Sequence, residues 1–240
     1  MLDNSTFSPF GYHLFPNSSD LKTILALRAR ISIMPRMFLR LLALVVVLTQ
    51  PLCAAPRTPQ TPDAIARQIL APLLDPAKVA TLKGDRPANP RLYKVLYWLE
   101  TARELGGDVG SVIGTAQAVT GSGGTTAAKA DMLAILGNRV KLQNFGCLTA
   151  EGMAKLRKGG APEITKGEHS GDFIALDHIL PRSVVPELAA RFFNLEALPA
   201  RVNLAKSAKI GHRELNLARQ WNHAGLLSAP GLRAIEVVVE

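Results

Sequence analysis

The sequence predicts a mainly helical protein with a small α+β insertion. Three observations lead there. Apolar residues recur at helical spacing over residues 91–105, where Leu92, Val95, Leu96, Leu99 and Ala102 fall at i, i+3, i+4, i+7 and i+10. Two short runs, 173–179 and 194–198, read as strands, and prolines at Pro181 and Pro199 stop them. Hydrophobic residues make up 48% of the 240 positions against 20% charged, which is ample for a core. The length allows one or two domains.

The N-terminal part stands apart from the fold. Arg36 and Arg40 flank the start of an apolar run, Leu-Leu-Ala-Leu-Val-Val-Val-Leu at 41–48, and small residues follow at Cys53, Ala54 and Ala55. That is the order of a secretory signal peptide. The run is shorter than the roughly 20 residues a membrane span needs, so no stable anchor is expected after processing. The expected native start is Met34 or Met37, with residues 1–33 a non-native extension. The mature chain is expected to be exported, periplasmic or secreted.

Charge survives that removal. The whole chain carries a net +9. From Pro56 onward 23 Lys and Arg face 17 Asp and Glu, leaving +6. A basic balance favours acidic partners, nucleic acid or an anionic surface. Without Cys53 only Cys147 remains, so neither a disulfide nor a cysteine zinc site is expected. In its apolar setting Cys147 reads as a packed small hydrophobe.

Taken in order, 56–61 is a Pro/Thr-rich linker. A helix with Pro62 at its first position runs to about Leu74, and 77–82 forms a short helical turn. Residues 84–90 read as a loop, and 91–105 as the clearest helix, ended by Gly106-Gly107. Tyr93, Tyr97 and Trp98 on that helix read as core and rim packing rather than a stacking surface. The stretch 106–124 holds seven glycines. Its Gly121-Ser-Gly-Gly lacks the Lys-Ser/Thr ending of a phosphate loop and reads as a flexible connection. A long helix is expected over 125–145, with Met132, Leu133, Leu136, Val140 and Leu142 on or near its apolar face. A shorter helix covers 153–158 and ends in the basic turn Lys155, Arg157 and Lys158, which reads as a solvated face. After the second strand a helix is expected over 200–209, another over 212–223, and a last segment over 231–240 of either type. The boundaries expected are a helical region at 62–158, a compact unit at 159–225 holding both strands, and a C-terminal segment at 226–240.

The chemistry concentrates between residues 171 and 209. The first strand delivers Asp177 and His178 at its end, and Asn203 lies in the first turn of the following helix. A carboxylate and an amide oxygen suit a hard divalent cation. A neighbouring imidazole takes a proton from water near neutral pH. Lys206 falls on the Asn203 face at i+3 and is placed to hold a phosphate. Five basic residues between Arg201 and Arg219 (Arg201, Lys206, Lys209, Arg213, Arg219) face one acid, Glu214.

The order Asp177-His178-Ile-x-Pro-x-Ser, Asn194-Leu-x-x-Leu, Asn203-x-x-Lys206 resembles the HNH nuclease motif, the ββα-metal finger of His-Me endonucleases. The resemblance covers about forty residues, 171–209. It implies a helical region packed on a ββα-metal finger and a metal-dependent endonuclease that hydrolyses phosphodiester bonds. Asp177 and Asn203 would be the metal ligands and His178 the general base. Asn203 stands where many members carry His. Asn194 would be structural, bracing the loop while its backbone orients the His178 ring. Lys206, Arg182 and Lys209 are the candidate phosphate contacts. The implied cofactor is one divalent ion, Mg2+ first, with Mn2+, Ca2+ and Zn2+ open. The implied partner is nucleic acid, DNA ahead of RNA. The competing reading is a basic nucleic-acid-binding protein that keeps the finger and does not cut. His169 reads as a loop residue, and His212 and His223 as surface.

The apolar run at 41–48 generates one prediction. N-terminal sequencing of the exported protein should begin at Ala55 or Pro56. Recovery of an intact 41–48 segment in the cytoplasmic fraction would overturn the expectation.

Overall fold

The computed structural model describes residues 61–81 and 88–239. The signal segment therefore lies outside the described residues. The first helix, α1 (Pro62–Ile65), is capped by Thr61, whose hydroxyl accepts from Ala64 N–H at 3.1 Å. It widens into a π turn over Ala66–Leu70 and continues as α2 (Ala71–Leu74). The widened turn sits just before Pro72, which has no N–H to continue the ladder. Arg91 then covers the end of α2, donating to the carbonyls of Pro72 and Leu73 at 3.1 Å each. Asp75 caps α3 (Pro76–Ala80).

The long helix α4 (Ala88–Glu104) starts earlier than the sequence pattern predicts, because Asn89-Pro90 lies in its first turn rather than in a loop. Its predicted apolar stripe is buried: Leu92, Val95, Leu99 and Ala102 show no exposed surface. The glycine-rich stretch holds a helix of 11 residues, α5 (Val109–Val119), capped by Asp108. The cap and the apolar Val112, Ile113 and Ala116, buried against the core, outweigh the low propensity of Gly110 and Gly114.

Helix α6 (Thr126–Asn144) has the expected length, and Met132, Leu136 and Leu142 of its expected face pack into the core, but Leu133 and Val140 do not. Leu133 is 70% exposed and Val140 49%, whereas Ala128, Ile135, Asn138 and Leu142 are buried. The reason is a polar residue in the core. Asn138 sets the rotation of α6 because its amide closes a strand edge. Helix α7 (Ala150–Arg157) follows, capped by Thr149.

Strands β1 (Ile174–His178) and β2 (Leu195–Pro199) form one antiparallel ribbon, with Asp177 opposite Glu196 and His178 opposite Leu195. Helix α8 (Ala200–Lys206) starts directly from Pro199 and ends three residues before the expected 209. There Ser207 adopts φ 53°, left-handed for a residue with a Cβ, as the chain turns to bury Ile210. Helices α9 (His212–His223) and α10 (Ala229–Val238) complete the chain, so the terminal segment is helical. Among the described residues no helix is long and apolar enough to cross a membrane.

One hydrophobic cluster runs from Ile65 through α4, α5 and α6 into Ile174, Leu176, Leu195 and Ala197 of the ribbon. The strands thus share the helices' core. A second cluster, with Leu180, Leu188, Phe193, Ala218 and Ile235, packs the connection between the strands on α9 and α10. Cys147 is buried in the first cluster, and burial pushes its thiol up to about 11.

A two-stranded ribbon is marginal alone. Here helix side chains close both edges. On β2, Asn138 donates to Leu195 O at 2.8 Å and accepts from Ala197 N–H at 2.7 Å. On β1, Asn89 donates to Leu176 O at 2.7 Å and Tyr93 to Ile174 O at 2.8 Å. Replacing Asn138 with Leu should destabilise the protein by roughly 2–5 kcal/mol, since it orphans a buried N–H and a buried C=O. Urea unfolding checks this, and an unchanged midpoint would remove the edge-closing role.

Candidate functional site

The site lies in a cleft of about 580 Å³ lined by residues of β1, of the first turns of α4, and of α8 with the turn after it. Asp177, His178, Arg182 and Asn203 all line it. Lys206, on α8, is not part of the lining but touches it, its Nζ 2.6 Å from Asp177 Oδ2 and 2.9 Å from His178 O. Lys209 is exposed and outside the lining.

The His178 ring is held by a carbonyl. Its Nε2 lies 2.9 Å from Ala189 O. A carbonyl only accepts, so Nε2 carries the proton and Nδ1 keeps the lone pair. Sequence reasoning expected the backbone of the loop braced by Asn194 to orient the ring, without naming a residue; the carbonyl within reach is that of Ala189. The Asn194 carbonyl accepts from Ile179 N–H at 2.9 Å, one step beyond the β1–β2 ladder.

Asn194 is fully buried and fully used. Its Oδ1 accepts from Leu180 N–H at 2.8 Å, and its Nδ2 donates to Leu180 O at 3.0 Å and Leu188 O at 3.3 Å. The Leu188 carbonyl belongs to the peptide just before Ala189. Asn194 therefore staples the connection that carries the histidine's partner. Asp131 braces the same loop from α6, accepting from Phe193 N–H at 2.9 Å and from Arg191 at 3.2 Å. Burial raises the Asp131 carboxyl despite Arg191.

Helix α8 buries none of its side chains, so polar contacts place it. At its start Asp172 Oδ2 accepts from Arg201 N–H at 3.0 Å, and Ala200 N–H donates to Phe173 O at 2.8 Å. At its end Lys206 reaches back to Asp177. Asn203 lies between these contacts. As placed, its amide oxygen faces the Asp177 carboxylate; turned over, its nitrogen would donate to Oδ1 at 3.0 Å and Oδ2 at 3.2 Å. Hydrogen bonding favours the turned amide. Asp177 and Asn203 bring a carboxylate and an amide together beside an open cleft, donor groups of the kind a divalent ion takes. Lys206 competes with an ion for the same carboxylate. Among the described residues no group of three or more His, Cys, Asp or Glu converges as a metal cluster.

The expected basic stripe is partly consumed by ion pairs. Arg213 grips Glu196 at 2.7 Å, Lys206 grips Asp177 at 2.6 Å, and Arg219 faces Glu236 at 3.4 Å. His169 pairs with the neighbouring Glu168 in its loop, and His212 and His223 are exposed. Sequence reasoning missed Asn89, Asp172 and the Ala189 carbonyl, and it assigned Tyr93 to packing alone. Nothing local marks them, since their partners are 87, 29, 11 and 81 positions away.

No family model matches the chain, and neither a curated protein nor a solved structure matches it.

Two carboxylates near the site tie stability to pH. Burial would raise Glu196, but Arg213 and Lys141 outweigh it and hold the group below the usual range. The Arg201 N–H does the same for Asp172. A depressed folded value contributes stability above the unfolded value, near 4, and that stability is lost as pH falls through the folded value. The urea midpoint should therefore hold between about pH 7 and 5 and drop below about pH 4. Replacing Glu196 with Gln should weaken that drop. An unchanged acid limb in the variant would show that Glu196 does not carry it.

Proposed function

We propose that the chain is an exported, metal-dependent HNH-type endonuclease that hydrolyses phosphodiester bonds in nucleic acid. One observation supports this above the others. An imidazole with Nε2 anchored on Ala189 O lies beside Asp177 and Asn203, in a cleft open enough for a polyanion. The ribbon followed by α8 has the strand–strand–helix order of a ββα-metal finger, and Asn194 braces it from within.

His178 takes a proton from the attacking water at Nδ1. Ala189 O fixes the ring and stabilises the imidazolium that forms. Asp177 and Asn203 would hold the divalent ion, Mg2+ first. When bound, the ion neutralises charge on the scissile phosphate and on the leaving oxygen. With an ion on Asp177, Lys206 would be free to contact the phosphate, and Arg182 lies in the same cleft. Lys209 and Arg201 extend the contact along the backbone.

One contact favours the non-cutting alternative. The Lys206 ammonium already neutralises Asp177 at 2.6 Å, as it would in a protein that only binds nucleic acid. A plasmid-nicking assay with and without chelator separates the two. Cleavage should need the metal, and replacing His178 with Ala should lower the rate by at least about a hundredfold, the contribution of a general base, while leaving DNA binding in place. Wild-type protein that binds plasmid and never nicks it, with any divalent ion, would establish the alternative.

A further inference from the structure

We infer that Phe173 is a nucleobase-stacking platform and that the cleft takes single-stranded nucleic acid, an inference that rests on the nuclease reading above. Residues two apart on an extended strand share a face, so Phe173, Ala175 and Asp177 form one row. All three line the cleft. Between them Ile174 and Leu176 are buried, at 1% and 4% exposure, while Phe173 is 44% exposed. A large aromatic ring thus faces solvent in the cleft that holds His178. Ala175 leaves the floor between ring and carboxylate low.

The platform is rigid and charged. Phe173 N–H is held by Asp172 Oδ1 at 2.8 Å, and its carbonyl accepts from Ala200 N–H at 2.8 Å. Lys155 Nζ lies over one face of the ring, 4.6 Å from its centroid. An exposed aromatic ring with a cation over one face suits a single strand: a base stacks on the other face and the ammonium takes the phosphate next to it. Four residues of strand put the ring roughly 13 Å from Asp177, a few nucleotides from the cleaved bond. Duplex bases are stacked inside the helix and reach such a ring only if flipped out. A single strand offers its base faces directly, whatever the sequence.

The test uses a 12-nucleotide strand carrying 2-aminopurine, as DNA and as RNA, with chelator present so that binding is read without cleavage. Wild-type protein should quench the probe. F173A, and F173L as the variant that keeps an apolar side chain without the ring, should lose the quench and bind at least about tenfold more weakly. F173W should restore both, and duplex binding should change less than about twofold in all three. K155A should keep the quench and lower the salt dependence by about one phosphate contact. A full quench with F173L, or equal weakening for strand and duplex, overturns the inference. Quenching of only the DNA or only the RNA strand supports it and selects the sugar. Failure of wild-type protein to cleave with metal removes the nuclease reading alone, because the chelated measurement decides Phe173 by itself.

Discussion

The structure depends on how a two-stranded ribbon is kept from fraying. Each edge of an isolated pair leaves a row of N–H and C=O groups without partners, and burying such groups unpaired costs about 1–3 kcal/mol each. Here α6 supplies one amide, Asn138, that mimics a third strand on β2, and α4 supplies Asn89 and Tyr93 to β1. These side chains come from helices that also bury Leu92, Leu99, Ile135 and Leu142 in the common core. Edge closure and core packing therefore stand or fall together. The same contacts fix the height of β1 against α4, and so the width of the cleft in which Asp177 and His178 sit.

A second constraint concerns the connection between the strands. It carries the carbonyl that holds His178, yet it has little regular structure beyond two short 3-10 turns. Asn194 compensates by using both ends of its amide inside the loop, and Asp131 adds a contact from outside. The histidine is thus oriented by a carbonyl that has been made rigid. Helix α8 is placed differently. With no buried side chain, it is held by Asp172 at one end and Lys206 at the other. A helix held by polar contacts can shift by small amounts when a charge pair at one end is exchanged.

The helices were legible to the extent that local signals mark them. The stripe on α4 and the proline-stopped strands appear in the sequence, and each corresponds to an observed element. The two main misreadings share one physical cause. In α6 the expected face included Leu133 and Val140 beside Met132, Leu136 and Leu142, but a long-range amide pair turned Asn138 inward and left those two exposed. Over 109–119 no helix was expected among the glycines, but burial of Val112, Ile113 and Ala116 made one. Long-range burial overrode local propensity in both.

By itself the sequence determined the strand–strand–helix order and the grouping of Asp177, His178, Asn203 and Lys206 within a few dozen residues. Spacing and residue type carry that information, because Asp177 and His178 end one strand and Asn203 and Lys206 share one helix face. Only the tertiary structure decided which carbonyl orients the histidine, which cation sits on Asp177, and that Phe173 shares the cleft. These rest on contacts between residues far apart in sequence, such as Lys206 with Asp177, 29 positions away. Tyr93 and Ile174, 81 positions apart, make the same point. No local pattern encodes such pairs, since they exist only once the core has brought the segments together.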